Sequence, residues 1–216
     1  MPVKILLPTK VVGKENMPLP ERIITVSNHY SILDVPTVAI NVPGYRHLIG
    51  KKELMESAFF RFLIKRVDAI TIDRGNADLS AIRKILKCLK NNDSLSIFPE
   101  GTRNKTDENL HEIKAGAAMF ALKGDAQIVP IMIYRKPRFF RRNYIYVAPP
   151  LSLSDCIEER VDADAIERGS KKVEESMRAS AEFLKDYVEN KRWKEIKKAK
   201  KLAKKQAKIE AKANKK

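Results

Sequence analysis

The sequence predicts an α/β fold: a mixed, mostly parallel sheet flanked by helices, followed by a basic helical C-terminal tail. Three observations carry the prediction. Short β-branched runs alternate with longer segments of helical apolar period. Several of the runs stop at Asn, Pro or Gly, which is how a strand turns toward the next helix. The composition then changes abruptly after residue 189, so the reading places a folded domain over 1–189 and a Lys/Ala-rich tail over 190–216.

Taken in order, residues 1–20 hold short apolar pieces separated by Pro2, Pro8, Pro18 and Pro20. Ile23, Ile24, Thr25 and Val26 form a β-branched run and predict a buried strand ending at Ser27-Asn28-His29. A helix is expected over 31–42, with Pro36 acceptable only in its first turn. A second helix is expected over 54–66 and a strand over 69–72. Over 78–90 the apolar residues Leu79, Ile82, Ile85, Leu86 and Leu89 recur near the helical period. Residues 95–98 read as a strand stopped by Pro99-Glu100-Gly101, 115–122 as a helix, 128–134 and 144–147 as strands, and 164–187 as a long helix. Alternation of this kind belongs to α/β folds.

The chain has 216 residues, enough to bury about 70% of the surface its unfolded form exposes. The 44% hydrophobic content excludes global disorder. The net charge of +16 is uneven: from Lys191 to Lys216 there are 13 basic residues and 2 acidic ones. The basicity is therefore mostly a property of the tail. There Trp193, Ile196, Ala199, Ala203 and Ala207 fall at helical spacing, and the tail reads as a solvated extension, as a basic helix on an anionic membrane, or as a nucleic-acid contact. Cys88 and Cys156 are far apart and form no CxxC, which fits reduced thiols. With three His and no ligand spacing, no metal is expected. Residues 5–7 are too short an apolar core for a signal peptide, and no apolar run reaches the roughly 18 residues of a membrane span.

The strongest chemical feature is Asn28-His29-Tyr30-Ser31-Ile32-Leu33-Asp34. In a regular helix His29 and Asp34 would lie about 140° apart. They face each other only if His29 ends the strand and Asp34 opens the helix, the junction where open α/β sheets place ligands. A carboxylate on one imidazole nitrogen leaves the other to take a proton, and a substrate hydroxyl can be its source. A surface histidine beside a helix-capping aspartate would give the same short pattern. Basic residues recur in other segments: Lys51 or Lys52 in GKKEL could add positive charge, Arg74 follows a strand directly in AITIDR, and Arg103 lies in FPEGTR (98–103), where Gly101 frees the backbone and Arg103 can grip a phosphate.

The order of these segments, NHYSILD, KKEL, AITIDR, FPEGTR and then IVPI at 128–131, resembles the motif series of the glycerolipid acyltransferase superfamily, whose best-known members are the 1-acyl-glycerol-3-phosphate acyltransferases. Residues 113–118 (IKAGAA) resemble that family's F-K-x-G-A segment, and 11–18 its lead-in to the first motif, so the likeness runs over about residues 11–150. It implies that His29 is the general base on a lysophospholipid hydroxyl and that Asp34 orients it. The alkoxide would attack an acyl-CoA or acyl-carrier-protein thioester directly. Arg103, Arg74 and Lys51 would hold the acceptor phosphate; Glu100 and Gly101 would belong to the acceptor site, and Thr102 would help through its hydroxyl or backbone. No metal or cofactor is implied. The expected partners are the lysophospholipid, the thioester donor and an anionic membrane surface, with nucleic acid disfavoured, and the expected location is the cytoplasmic face of a membrane, bound peripherally.

The favoured acceptor is 1-acyl-glycerol-3-phosphate, with phosphatidate as product. Glycerol-3-phosphate, another lysophospholipid or an amino-acid lipid stays open as acceptor, as does a non-catalytic lipid-binding role for the same fold. Three departures from the family pattern stand out. Asp68 replaces a usual Gly, Ile113 replaces an aromatic, and 28 residues precede His29 where many members carry hydrophobic helices. Either the start is truncated or another surface docks on lipid. Phe59, Phe60, Phe62, Phe139, Phe140 and Tyr144, beside Arg61, Arg138, Arg141 and Arg142, have the composition for that, and half of these aromatics fit a core equally well.

Overall fold

Two strands form the centre of the sheet. β2 (Ile23–Val26) is buried at all four residues, and β6 (Gln127–Ile133) is buried everywhere except Gln127. Strands covered on both faces are unbroken apolar runs, and both segments read that way. The computed structural model describes residues 2–17, 19–56, 69–73, 78–106, 108–190, 196–198 and 201–202. Around the central pair lie β1 (Thr9–Val12), β3 (His47–Lys51), β4 (Ile70–Ile72), β5 (Leu95–Ile97) and β7 (Asn143–Val147). The described strands form one seven-stranded sheet in the order β1-β7-β6-β2-β5-β3-β4, parallel at every pairing except β6–β7. The predicted fold class, mixed and mostly parallel, is the observed one.

The helices are α1 (Pro2–Leu6), α2 (Asp34–Asn41), α3 (Leu79–Lys90), α4 (Gly116–Gly124) and α5 (Ala163–Glu189). α3 begins where the Asp78 carboxylate accepts from Ala81 N (3.0 Å), and α5 where Asp162 accepts from Ala165 N (2.8 Å). Both satisfy a donor that the first helical turn leaves unpaired. Residues at three- and four-residue intervals then face the sheet: Ala81, Ile85 and Leu89 from α3, and Ala165, Gly169, Val173, Met177 and Leu184 from α5. With α4 they build the larger core against Ile24, Val26, Leu95 and Ile128. The other face packs Val38 of α2 with Val42 against Ile23, Val129, Ile131 and Ile145. The alternation of Ile23 and Ile24 between the two cores is the two-residue period of a strand.

The structure differs from the sequence reading in places with physical causes. β1 and β3 lie in segments that sequence reading does not mark as strands. β1 is half-buried throughout and begins with Thr9-Lys10; β3 carries Gly50 and ends at the exposed Lys51, so neither shows an apolar run. α2 starts at Asp34 rather than 31, because residues 31–33 are used in a turn that wraps the Asp34 carboxylate; Pro36 does fall in the first helical turn. α5 runs to Glu189, slightly past the expected end. Residues 52–56 form a short 3-10 turn; the rest of the helix expected over 54–66 lies outside the described residues. Of the tail, Ile196–Lys198 and Lys201–Leu202 are helical. Pro130 sits inside β6 but just past the end of the antiparallel ladder, whose last pair is Ile131–Val147.

Gly13, in the family-like lead-in, closes the β1 edge. Its φ is +78°, and a Cβ there would lie 2.1 Å from the Val147 carbonyl oxygen, which accepts from Asn16 Nδ2 at 2.8 Å. Gly13→Ala combines a left-handed side-chain penalty of about 1–2 kcal/mol with that clash. The thermal midpoint is expected to fall by at least about 3 °C; an unchanged midpoint in a thermal melt would contradict this account.

Candidate active site

The C-terminal ends of β2, β5 and β6, neighbours in the sheet, converge on one edge. β2 delivers Asn28 and His29, and β5 delivers Phe98 through Arg103. Asn28 is fully buried and ties the ends together: its Nδ2 donates to Ile133 O (2.9 Å) and Asn109 O (3.0 Å), while Ile133 N donates to its Oδ1 (2.8 Å). A buried amide with its donors and acceptor paired this way fixes the strand ends in register.

His29 follows directly. Its Nδ1 lies 2.7 Å from Asp34 Oδ2, and the same oxygen accepts from the backbone N–H groups of Tyr30 (2.6 Å) and Ser31 (2.6 Å). Asp34 is completely buried. An oxygen that already accepts two backbone protons is an acceptor toward the imidazole too, so Nδ1 donates and Nε2 carries the lone pair. The imidazole is stacked on the Phe98 ring, with centroids 4.3 Å and planes 27° apart, and its side chain is 17% exposed. One ring face is packed and one nitrogen is used, leaving the Nε2 edge for a substrate.

Glu100 acquires a definite role. It is buried, and its two carboxylate oxygens accept from His29 N (2.7 Å) and His111 N (3.1 Å). Asn104 N donates to His29 O at 2.6 Å, so the histidine backbone is held at both its polar groups. Burial pushes the Glu100 carboxyl above its ordinary range, outweighing the two N–H donors and the nearby His111 and His29, which act the other way. Tyr30, whose hydroxyl donates to Asn109 O (3.1 Å), is pushed up to about 12, mainly by burial and also by the Glu100 and Asp34 carboxylates, so it stays a neutral phenol.

Of the remaining sequence-predicted residues, Lys51, Gly101, Thr102 and Arg103 lie on the same edge of the sheet. Gly101 takes φ +71° and donates its N–H to Phe98 O (3.1 Å), turning the FPEGTR segment so that Thr102 and Arg103 are exposed. The β5–β3 register brings Lys51 to the same edge of the sheet, exposed at the end of β3. Arg74 lies outside the described residues, as do Phe59, Phe60, Phe62 and Asp68. Sequence reasoning assigned no role to Asn28 or Phe98, although both sit inside the quoted motifs. Asn104, Asn109 and His111 carry no local signal at all, because their part is played by backbone groups.

Among the described residues, one set of metal-type donors comes together. His47, Cys88 and Asp93 hold their ligand atoms within 4.8 Å of one another. They lie where β3 begins and α3 ends, at the opposite end of the sheet from His29, and no local spacing in the sequence reveals them.

The class defined so far is an α/β protein with a His-Asp pair, its aspartate buried, at the strand ends and exposed cations on the same edge. Comparison with known proteins makes this specific. The family described as Acyltransferase matches residues 8–134, and the chain belongs to that family. Over 122 residues it is 34% identical to a 1-acyl-sn-glycerol-3-phosphate acyltransferase of Bacillus subtilis (strain 168), covering 56% of this chain and 60% of that protein. Over 121 residues it is 35% identical to a protein of the same name from Helicobacter pylori (strain J99), covering 54% and 50%. The chain thus matches about half to three fifths of the length of these relatives. The fold is shared with the crystal structure of the 1-acyl-sn-glycerophosphate (LPA) acyltransferase, PlsC, from Thermotoga maritima, with a TM-score of 0.61 and 21% identity over 84% of this chain and 72% of that one.

The Glu100 geometry generates a pH test. The folded state keeps a proton on Glu100 to higher pH than the unfolded chain. Its contribution is therefore complete below the ordinary value of 4.5 and is lost as pH rises through the raised value. Glu100→Gln removes that titration. In urea unfolding across a pH series, the wild type's advantage over the variant is expected to shrink as pH rises from 4.5; an advantage that grows would place the carboxyl below its ordinary range.

Proposed function

We propose that this chain transfers a fatty acyl group from a CoA or acyl-carrier-protein thioester to the hydroxyl of 1-acyl-glycerol-3-phosphate (lysophosphatidate), forming phosphatidate in phospholipid biosynthesis. The carrying observation is the His29–Asp34 pair, 2.7 Å apart with the aspartate fully buried and the imidazole edge accessible. Family membership and the names of the similar proteins support the same reaction and acceptor.

His29 Nε2 takes the proton of the acceptor hydroxyl as that oxygen attacks the thioester carbonyl. Asp34 stabilises the imidazolium that forms. The tetrahedral intermediate collapses with cleavage of the C–S bond, and the imidazolium returns the proton to the thiolate leaving group. The new ester, the thiol and neutral His29 balance the step. The reaction written this way needs the two substrates and nothing further. Arg103, Lys51 and Arg74 supply positive charge for the acceptor's dianionic phosphate, and Arg103 has the fork to bind it through two hydrogen bonds. Glu100 and Asn104 act through the His29 backbone and are positioning residues. Gly101 and Thr102 shape the loop that presents Arg103. We place the protein peripherally on the cytoplasmic face of the membrane, where its acceptor is found.

Labelled acyl transfer to lysophosphatidate and to glycerol-3-phosphate in competition, with each donor in turn, tests the reading. His29→Ala and Asp34→Asn are each expected to lower turnover about 10²–10⁴-fold. Unchanged turnover in either variant rules out the base mechanism. Exclusive transfer to glycerol-3-phosphate keeps the mechanism and replaces the acceptor. Arg103→Ala is expected to raise the KM for lysophosphatidate while leaving the donor KM near its wild-type value; a rise confined to the donor would reverse the assignment of Arg103.

A further inference from the structure

The connection between β6 and β7 leaves the sheet at the His29 end, because Ile133, the last residue of β6, is bonded in both directions to the Asn28 side chain. Residues 135–142 read RKPRFFRR: five cations, no acid and two phenylalanines. Phe139 is 50% exposed and Phe140 75% exposed. Beside them Ile5 of α1 is also 75% exposed, and Phe140 N donates to Leu6 O at 2.8 Å, joining the hairpin to α1.

The turn holds its shape. Asn143 is buried, accepts from Arg138 N (3.0 Å) and donates to Arg138 O (3.2 Å), while its own N–H donates to Pro8 O (2.8 Å). Within this frame Phe140 has φ +55°, a left-handed conformation that a bulky aromatic rarely adopts. The backbone is strained into a shape that keeps the two phenyl rings outward, and strain of this kind persists where surrounding bonds over-determine it.

We propose that this hairpin, with α1, is a docking surface for an anionic phospholipid bilayer, in which Phe139, Phe140 and Ile5 enter the headgroup–acyl boundary and Arg138, Arg141 and Arg142 pair with lipid phosphates. The apolar side chains supply insertion and the arginines supply attraction, the two components of interfacial binding. The charge continues along the same side: Arg142 lines one cavity with Lys10 and with Lys197 of the tail, and Lys10 Nζ stands 5.2 Å over the Tyr187 ring. Lys197 of the tail therefore borders this surface. The inference deepens the proposed function and rests on it for one point, that the acceptor is a lipid reached from this edge. Exposed aliphatic Ile5 favours lipid over the base-stacking that aromatics and arginines give with single-stranded nucleic acid.

The test is flotation of the full chain with phosphatidylcholine vesicles, with and without phosphatidylglycerol, beside Phe139→Ser/Phe140→Asn and Arg141→Glu/Arg142→Glu. Asn tolerates the left-handed backbone. The wild type is expected to float with anionic vesicles and less so at high salt. The aromatic variant is expected to lose about tenfold or more in partitioning, and the charge variant about fivefold per arginine, with melting midpoints like the wild type's. If the aromatic variant fails to fold, the charge pair carries the test. Wild-type vesicle binding by a folded variant overturns the surface. So does tighter binding of a single-stranded oligonucleotide than of vesicles, lost in the same variants. Turnover on detergent-dispersed lysophosphatidate separates this from the reaction itself. His29-dependent turnover with unaltered vesicle binding in the variants keeps the reaction and removes the surface. Hairpin-dependent vesicle binding without any acyl transfer keeps the surface and removes the reaction.

Discussion

The Asp34 carboxylate must be negative, buried and aimed at an imidazole at once. An isolated carboxylate in such a place would be strongly destabilised. Its Oδ2 resolves the conflict by accepting from Tyr30 N, Ser31 N and His29 Nδ1 together. The turn between β2 and α2 is built around that single atom. It is why the helix starts at Asp34, why residues 31–33 are not helical, and why His29 presents one defined nitrogen outward.

This arrangement relies in turn on the strand ends being held. β2 is flanked by β5 and β6, and all three strands end on the edge where His29 lies. Asn28 locks β2 to β6, and Glu100 locks the loop after β5 to the His29 backbone. The buried Asn28 and Glu100 side chains thus bind neighbouring backbone groups, while the cations Lys51 and Arg103 are exposed. A buried, hydrogen-bonded scaffold under an exposed charged rim is the division of labour expected of a preorganised site. The antiparallel β6–β7 turn adds a second use of the same edge. Because β7 returns beside β6, the chain must form a hairpin there, and that hairpin leaves the sheet on the same edge as His29.

Much of this was legible in the residues. The β-branched run at 23–26, the apolar run at 128–134 and the helical period at 78–90 each became the element expected, because burial on both faces or on one helical stripe leaves a composition signature. The His29–Asp34 pairing was legible too, since only a strand-to-helix junction lets residues five apart in sequence face each other. β1 and β3 were not, because edge or short strands with Lys, Thr and Gly are stabilised by ladder hydrogen bonds, which any residue type with an N–H can make. Glu100 was visible only as part of a motif: its side chain binds main-chain donors of His29 and His111, and backbone groups leave no mark in a sequence.

The sequence by itself determined the alternation of strands and helices, the family, and the His29–Asp34 pair and cations that the proposed reaction uses, because these depend on residue type and local order. Tertiary structure alone decided the strand order, the role of Glu100, the stacking of Phe98 on His29 and the outward Phe139–Phe140 turn beside α1. Those outcomes depend on which distant backbone and side-chain groups burial brings within hydrogen-bonding or van der Waals distance, and no local pattern of residues encodes that.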